Sequence, residues 1–335
     1  MTPFQRLCRI AIASLGGLAL ALGASSAGAQ QLTPLKLRLS WTPFGFHTAL
    51  FLAVERGWMR EGGVDLQIED GSGSTATVNF VGTGQYDIGE AAVSSMAIGR
   101  DKGMPLKSIA DFVRGTDLGI LVPRDSGIKG PKDLEGKKIA YTAGSLEGPF
   151  MEIFLKTAGV NVSKVELLNV DFASKIPTYI SKKSDAVVTT VPFILPLLTN
   201  TRPSDAIMFG DYGFVLPSIG YIATEQTIRT KRRALESFVT AMSRAWTEVL
   251  EGKKLDESVA ALVKHRPQAK VDPKIAAAQV EAYRAYFYTA NTKGRPHGWH
   301  PPEDWVAAIS SMQKVGLISA GAKPADFYTN EFLTK

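Results

Sequence analysis

Cysteine is nearly missing from this chain of 335 residues: Cys8 is the only one, and it stands ahead of an apolar run at the N-terminus. Removal of that segment leaves no disulfide, no thiolate nucleophile and no cysteine metal ligand, so stability rests on packing. A cysteine-borne lipid anchor is disfavoured too, because its cysteine would have to follow the apolar run. No second stretch reaches the ~18–20 apolar residues that a membrane span needs. No Ser/His/Asp spacing and no glycine-rich nucleotide loop offers catalysis. Repeats of solenoid period and low-complexity tracts are absent beyond the N-terminal segment. Charge is modest: charged residues make up 21% of the chain and the formal net charge is +6, of which Arg6 and Arg9 carry two. Basic residues cluster only at 129–138 and 229–233, both short or interrupted. That reads as solvated surface and argues against a nucleic-acid partner.

The residues that are present begin with a leader. Arg6 and Arg9 precede the apolar stretch 10–22, and Ala27-Gly28-Ala29 has the small-x-small form of a cleavage site. The pattern predicts a signal peptide over 1–29 and export, with cleavage after Ala29.

The stretch 39–59 organises the rest of the chain. Leu35, Leu37, Leu39 and Trp41 alternate with Lys36, Arg38 and Ser40, the two-residue period of a strand with one buried face. Thr42 and Pro43 suit the start of a helix, and Gly57 its end. A helix N-terminus just beyond the carboxyl end of a strand aims free N–H groups into a crevice, and Trp41, Phe44 and His47 stand there. Further strands are expected at 64–68, 86–89, 106–113 and 118–122, with Glu90 ending the third. A second series comes next, with strands ending near Tyr141, at 165–170 and at 185–189. Asp171 is placed to cap a helix over 174–182. Strands at 207–210 and 218–223 complete the pattern. The last third reads as helices at 231–252, 255–264, 273–288 and 302–315. Strand–loop–helix units in two runs and a helical tail predict an α/β chain of two lobes, with crossings near 119–123 and 220–224 and a ligand between the lobes.

Several motifs together carry a family resemblance. They are Ser40-Trp41-Thr42-Pro43 with His47, Glu55-Arg56-Gly57-Trp58, Gly71-Ser72-Gly73-Ser74, and Gly84-Gln85-Tyr86-Asp87-Ile88-Gly89. Downstream come 102–109, 131–139 and Asp185-Ala186-Val187. In order and spacing, from about Leu35 to Glu251, the chain resembles the extracytoplasmic solute-binding proteins of ABC importers for nitrate, alkanesulfonates, taurine and thiamine-pyrimidine precursors. The resemblance implies a two-lobed periplasmic-binding-protein fold of the second class, closing on its ligand by a hinge. Residues 30–120 with 222–335 would form one lobe and 121–221 the other. It implies a periplasmic monomer that needs no cofactor and delivers a small organic solute to a membrane permease with an ATPase partner. The branch for pyrimidine precursors carries Trp-x-Pro-Asn-x-x-His. Trp41, Pro43 and His47 match it, but Phe44 replaces the Asn, which points towards a ligand with an apolar or aromatic part.

The candidate ligand contacts fall in two sets. Ser72, Gly73, Ser74 and Thr75 join hydroxyls to a helix N-terminus, a ready anion site. Thr142, Gly144 and Ser145 are the counterpart in the second lobe. Trp41, Phe44 and His47 would form an aromatic wall. Glu90 is expected at the crevice, where it could pair with a ligand amine or ring N–H, or else with a basic residue such as Arg114. Asp171, Thr190 and Pro192 complete the set. His297 and His300 lack a nearby carboxylate cluster, so no metal site is expected. Two other functions compete: a thiamine-pyrimidine synthase-like enzyme, whose cysteine-rich motif this chain lacks, and a ligand-sensing module acting with a membrane receptor.

Overall fold

The computed structural model describes residues 31–333, so the leader expected over 1–29, with Cys8, lies outside the described residues. Two five-stranded sheets of one design organise the rest. Strands β1 (Thr33–Arg38), β2 (Val64–Glu69), β3 (Ile88–Ala92) and β4 (Leu106–Asp111) belong to the first. Strands β5 (Leu118–Pro123), β6 (Lys138–Tyr141), β7 (Glu166–Asn169), β8 (Ala186–Thr190) and β9 (Ser204–Met208) form the second. The chain then returns as β10 (Ile219–Thr224) to the first. The orders are β2-β1-β3-β10-β4 and β7-β6-β8-β5-β9. In each sheet the fourth strand, β10 or β5, runs antiparallel to both neighbours while the other pairs at the centre are parallel.

The alternation read from β1 holds, since Leu35, Leu37 and Leu39 are fully buried and Lys36 is exposed. β5 and β10 are buried at every position. Their continuous apolar runs are those of strands covered on both faces. This corrects the expected crossings, because 119–123 and 220–224 are central strands. The chain passes between sheets just ahead of them, at 112–117 and 209–218.

Helices α1 (Thr48–Glu55), α2 (Trp58–Glu61), α3 (Ser74–Gly82) and α4 (Val93–Asp101) accompany the first sheet's parallel strands. Helices α5 (Met151–Thr157), α6 (Lys175–Ile180) and α7 (Val191–Leu198) accompany the second. The tail comprises α8 (Glu225–Thr230), α9 (Arg232–Leu250), α10 (Leu255–His265), α11 (Pro273–Arg284) and α12 (Pro302–Lys314). The stripe read at helical spacing on α9 is its buried face, and Trp246 packs there on Phe287 at 4.5 Å and Phe46 at 4.9 Å between ring centres. Asp272 caps α11 by accepting from the N–H groups of Lys274 and Ile275.

Three local expectations change. Thr42 and Pro43 do not open a helix. A 3-10 turn, Gly45–His47, comes first, capped at Phe44, and α1 begins only at Thr48. Glu90 does not end β3 but sits at its centre, because Ala91 and Ala92 continue the ladder with β10. Apolar residues at Phe150, Ile153, Phe154 and Leu155 predict a helix over 146–158, but it starts only at Met151, after a run of turns.

Candidate functional site

A cavity of about 40 Å³ lies between the sheets. Its walls come from the carboxyl ends of parallel strands, where a sheet of this kind opens a crevice. Ser40, Trp41 and Phe44 follow β1, and Ser74 follows β2. From the second sheet, Ser145, Leu146 and Glu147 follow β6, Lys175 follows β7, and Thr189 and Thr190 end β8. Phe193, Ser218 and Ile219 complete the lining.

Of the expected wall of Trp41, Phe44 and His47, the first two line the cavity, and they pack against two further rings. Trp41 meets Phe172 edge-on at 5.4 Å between centres and Phe193 at 6.3 Å. Phe44 lies 4.3 Å from Phe193. Phe172 and Phe193 follow β7 and β8 as Trp41 follows β1, so the signal that singled out Trp41 also pointed to them.

The lining also carries charge that the sequence did not reveal. Lys175 Nζ donates to Glu147 Oε1 at 2.5 Å, with both side chains almost fully buried. The same carboxylate oxygen accepts from the Thr142 N–H at 3.2 Å. Lys175 Nζ stands 5.2 Å from the centre of the Trp41 ring, a cation–π contact across the cleft.

His47 and Glu90 stand behind the wall, outside the lining. Glu90 accepts from the Ser40 N–H at 2.7 Å and the Ser40 hydroxyl at 3.1 Å. The Phe44 N–H donates to His47 Nδ1 at 3.1 Å. A backbone N–H can only donate, so Nδ1 bears no proton and Nε2 does. Nε2 then donates to Glu90 at 3.1 Å, making this contact a hydrogen bond of a neutral imidazole and not an ion pair. The network ties both ends of the 40–47 segment to β3 and so fixes Trp41 and Phe44. The expected Glu90–Arg114 pairing is absent, because the Arg114 guanidinium donates to the carbonyls of Phe287 and Trp299.

The two small-residue loops meet. Ala76 N–H donates to the Gly144 carbonyl at 3.2 Å, and the Thr75 hydroxyl to the Ser145 carbonyl at 3.0 Å. Gly73 is held by its N–H on the Ser40 carbonyl. Of these loops only Ser74 and Ser145 line the cavity; Ser72, Gly73, Thr75, Thr142 and Gly144 do not. At the start of α3, one of the free N–H groups is thus taken by a carbonyl from the facing loop.

Thr190 lines the cavity, whereas Pro192 and Asp171 do not. Asp171 is exposed and accepts from the N–H groups of Ala173 and Ser174 at 3.0 Å each, and from the Ser174 hydroxyl. Those bonds hold its carboxyl below the usual range, the hydroxyl of Ser174 contributing most. His297 and His300 go to separate partners, Glu251 for the first and Ser108 with Asn330 for the second.

The family model described as NMT1/THI5 like matches residues 45–253. Among curated proteins, the chain is 23% identical over 285 residues to a formylaminopyrimidine-binding protein of Halalkalibacterium halodurans, covering 84% of this chain and 85% of the relative. It is 31% identical over 104 residues, 31% of each chain, to a 4-amino-5-hydroxymethyl-2-methylpyrimidine phosphate synthase of Saccharomyces cerevisiae. Among solved structures it resembles the alkanesulfonate-binding protein SsuA from Xanthomonas axonopodis pv. citri. The TM-score is 0.67 at 15% identity, over 88% of this chain and 98% of that one, which establishes a shared periplasmic-binding-protein fold.

Proposed function

The chain belongs to the NMT1/THI5-like family, and from that premise we propose that it is the extracytoplasmic solute-binding component of an ABC importer. It captures a small organic solute and hands it to a membrane permease with an ATPase partner, without catalysis. The observation that carries this reading is the cleft: aromatic rings from both sheets converge on one cavity, and the loops that flank it touch. A binding protein needs such a clamp, and an enzyme would need reactive groups in addition. The lining offers hydroxyls and one ion pair, and the chain carries no cysteine-rich motif of the kind expected in the synthases.

In this reading the sheet of β1–β4 and β10 and the sheet of β5–β9 are the two lobes. Segments 112–117 and 209–218 are the hinge. The exported chain, cut after Ala29, works in the periplasm as a monomer. Trp41, Phe44, Phe172 and Phe193 favour a ligand with an apolar or aromatic part, and Lys175 favours an oxygen acceptor at one end of it. An aromatic or pyrimidine compound fits these contacts better than nitrate, and an alkanesulfonate fits the lysine and the apolar wall.

The test is a thermal-shift screen of residues 30–335 with alkanesulfonates, taurine, aromatic acids and aminopyrimidines. A ligand that binds only the folded state must raise the melting temperature, by about 2.7 kcal/mol of stability at a hundredfold excess over Kd. At least one class should do so, and small-angle scattering should report a smaller radius with it bound. A flat screen across all classes would sink the proposal.

A further inference from the structure

We infer that Asp117 reads a hydrogen-bond donor on the ligand at the floor of the cleft, so the solute is a small aromatic or apolar compound bearing an N–H or O–H group. The inference rests on the solute-binding reading and adds a chemical class to it.

Asp117 ends the first crossing segment, one residue before β5. It is 1% exposed, and neither carboxylate oxygen has a hydrogen-bond partner among the described residues. Its own carbonyl accepts from the Val191 N–H, and the adjoining Leu118 pairs with Thr190, so it is pinned beneath the carboxyl end of β8. The hydroxyl of Ser218, the last residue of the second crossing segment, and the backbone N–H of Asp117 itself face the carboxyl and favour its charged form, yet neither oxygen has a partner in hydrogen-bond geometry. Ser218 and Thr190 line the cavity, which puts Asp117 one layer behind its surface. Nearby backbone donors are committed elsewhere: Ser218 N–H to the Val113 carbonyl and Val93 N–H to the Ser218 carbonyl. The buried Tyr283 hydroxyl, which feels the charge of Asp117, is likewise without a partner in hydrogen-bond geometry.

Burial without a firm donor is costly for the charged form and pushes the Asp117 carboxyl up to about 7, so a donor brought by a ligand both satisfies the carboxylate and draws it back to the charged form. A ligand donor removes that cost in either of two ways. It can reach Asp117 itself, or it can sit on the Ser218 oxygen while the Ser218 O–H turns to Asp117. Both ways make the floor an acceptor. An analogue with a methyl in place of the donor leaves the carboxylate unsatisfied, the situation in which binding sites discriminate most sharply.

Matched probes test this by calorimetric titration of the mature chain: 4-hydroxybenzoate against 4-methylbenzoate, and 4-aminopyrimidine against 4-methylpyrimidine. In at least one pair the donor-bearing member should bind about 30-fold or more tightly than its methyl partner. D117L should reduce that ratio to about threefold or less, and D117N, of the same shape without the charge, to about tenfold or less. Circular dichroism checks that each variant folds, and D117N decides if D117L does not. Equal affinity within both pairs, or an unchanged ratio in the folded variants, overturns the donor reading while leaving solute binding intact. No binding of these probes, with a flat thermal-shift screen, overturns both.

Discussion

Lys175 and Glu147 hold each other at 2.5 Å inside the cleft, each almost completely removed from solvent. Both come from the second sheet's side, after β7 and β6, yet the lysine reaches the Trp41 ring of the opposite wall. Taking two charges out of water is expensive, and their attraction returns that energy only when the geometry is good and other donors assist, as the Thr142 N–H does here.

Removing one partner should therefore cost more than removing both. K175M leaves Glu147 buried and uncompensated, with an expected loss of about 3–5 kcal/mol, whereas K175M/E147L should recover most of it. Urea unfolding of the three proteins supplies the comparison. Should K175M and the double variant prove equally stable, the pair is not the buried, coupled unit described. A ligand with an acceptor at its end should bind the double variant more weakly than wild type.

The contact between the facing loops depends on a glycine. Gly73 has φ +138°, and a Cβ built there would stand 2.3 Å from the Gly144 carbonyl oxygen on the facing loop. The obstacle lies across the cleft, so G73A should relieve it by parting the loops and not by unfolding. Its backbone strain adds about 1–3 kcal/mol of destabilisation. Ligand affinity should fall at least about tenfold, equivalent to about 1.4 kcal/mol, with a larger radius in scattering under saturating ligand. G144A is the control, since a methyl on Gly144 meets open space. Equal affinity of G73A, G144A and wild type would refute the clamp.

Much of this cleft was legible in the sequence because strand ends can be read. The alternation of Leu35, Leu37 and Leu39 located β1, and the residues just past a parallel strand face the crevice, which selected Trp41 and Phe44. Small-residue loops marked the touching segments for the same reason. Glu90 was misplaced because a carboxylate after Gly89 resembles the end of a strand, and only the pairing of Ala91 and Ala92 with β10 shows otherwise. Lys175 and Glu147 lie 28 residues apart, and in sequence each looks like an exposed charge at the start of a helix. Their burial is a property of two elements packing together, which no local pattern encodes. Asp117 was missed likewise, since an aspartate before a strand is ordinary until its surroundings close over it.

The last prediction concerns pH, because two buried groups near the first crossing titrate in opposite senses. Burial pushes the Asp111 carboxyl up to about 7; the Arg114 guanidinium opposes this and Asp304 adds to it. Burial also pushes His300 down to about 3, against the pull of its Asn330 hydrogen bond. Asp111 is thus more protonated folded than unfolded between its ordinary value of 3.8 and about 7, and across that window its contribution to stability falls as pH rises. For His300 the unfolded chain binds the extra proton between about 3 and 6.5, so its contribution falls as pH drops. D111N should match wild type near pH 4 and exceed it by on the order of 4 kcal/mol at pH 8, before relaxation of the site reduces the gain. H300Q, by contrast, should lose packing at every pH and flatten the acid side alone. Guanidinium unfolding at half-unit steps from pH 4 to pH 8 measures both. A D111N curve parallel to wild type would show that Asp111 does not take up its proton on folding. An H300Q curve as steep below pH 6 as wild type would remove His300 from the acid response.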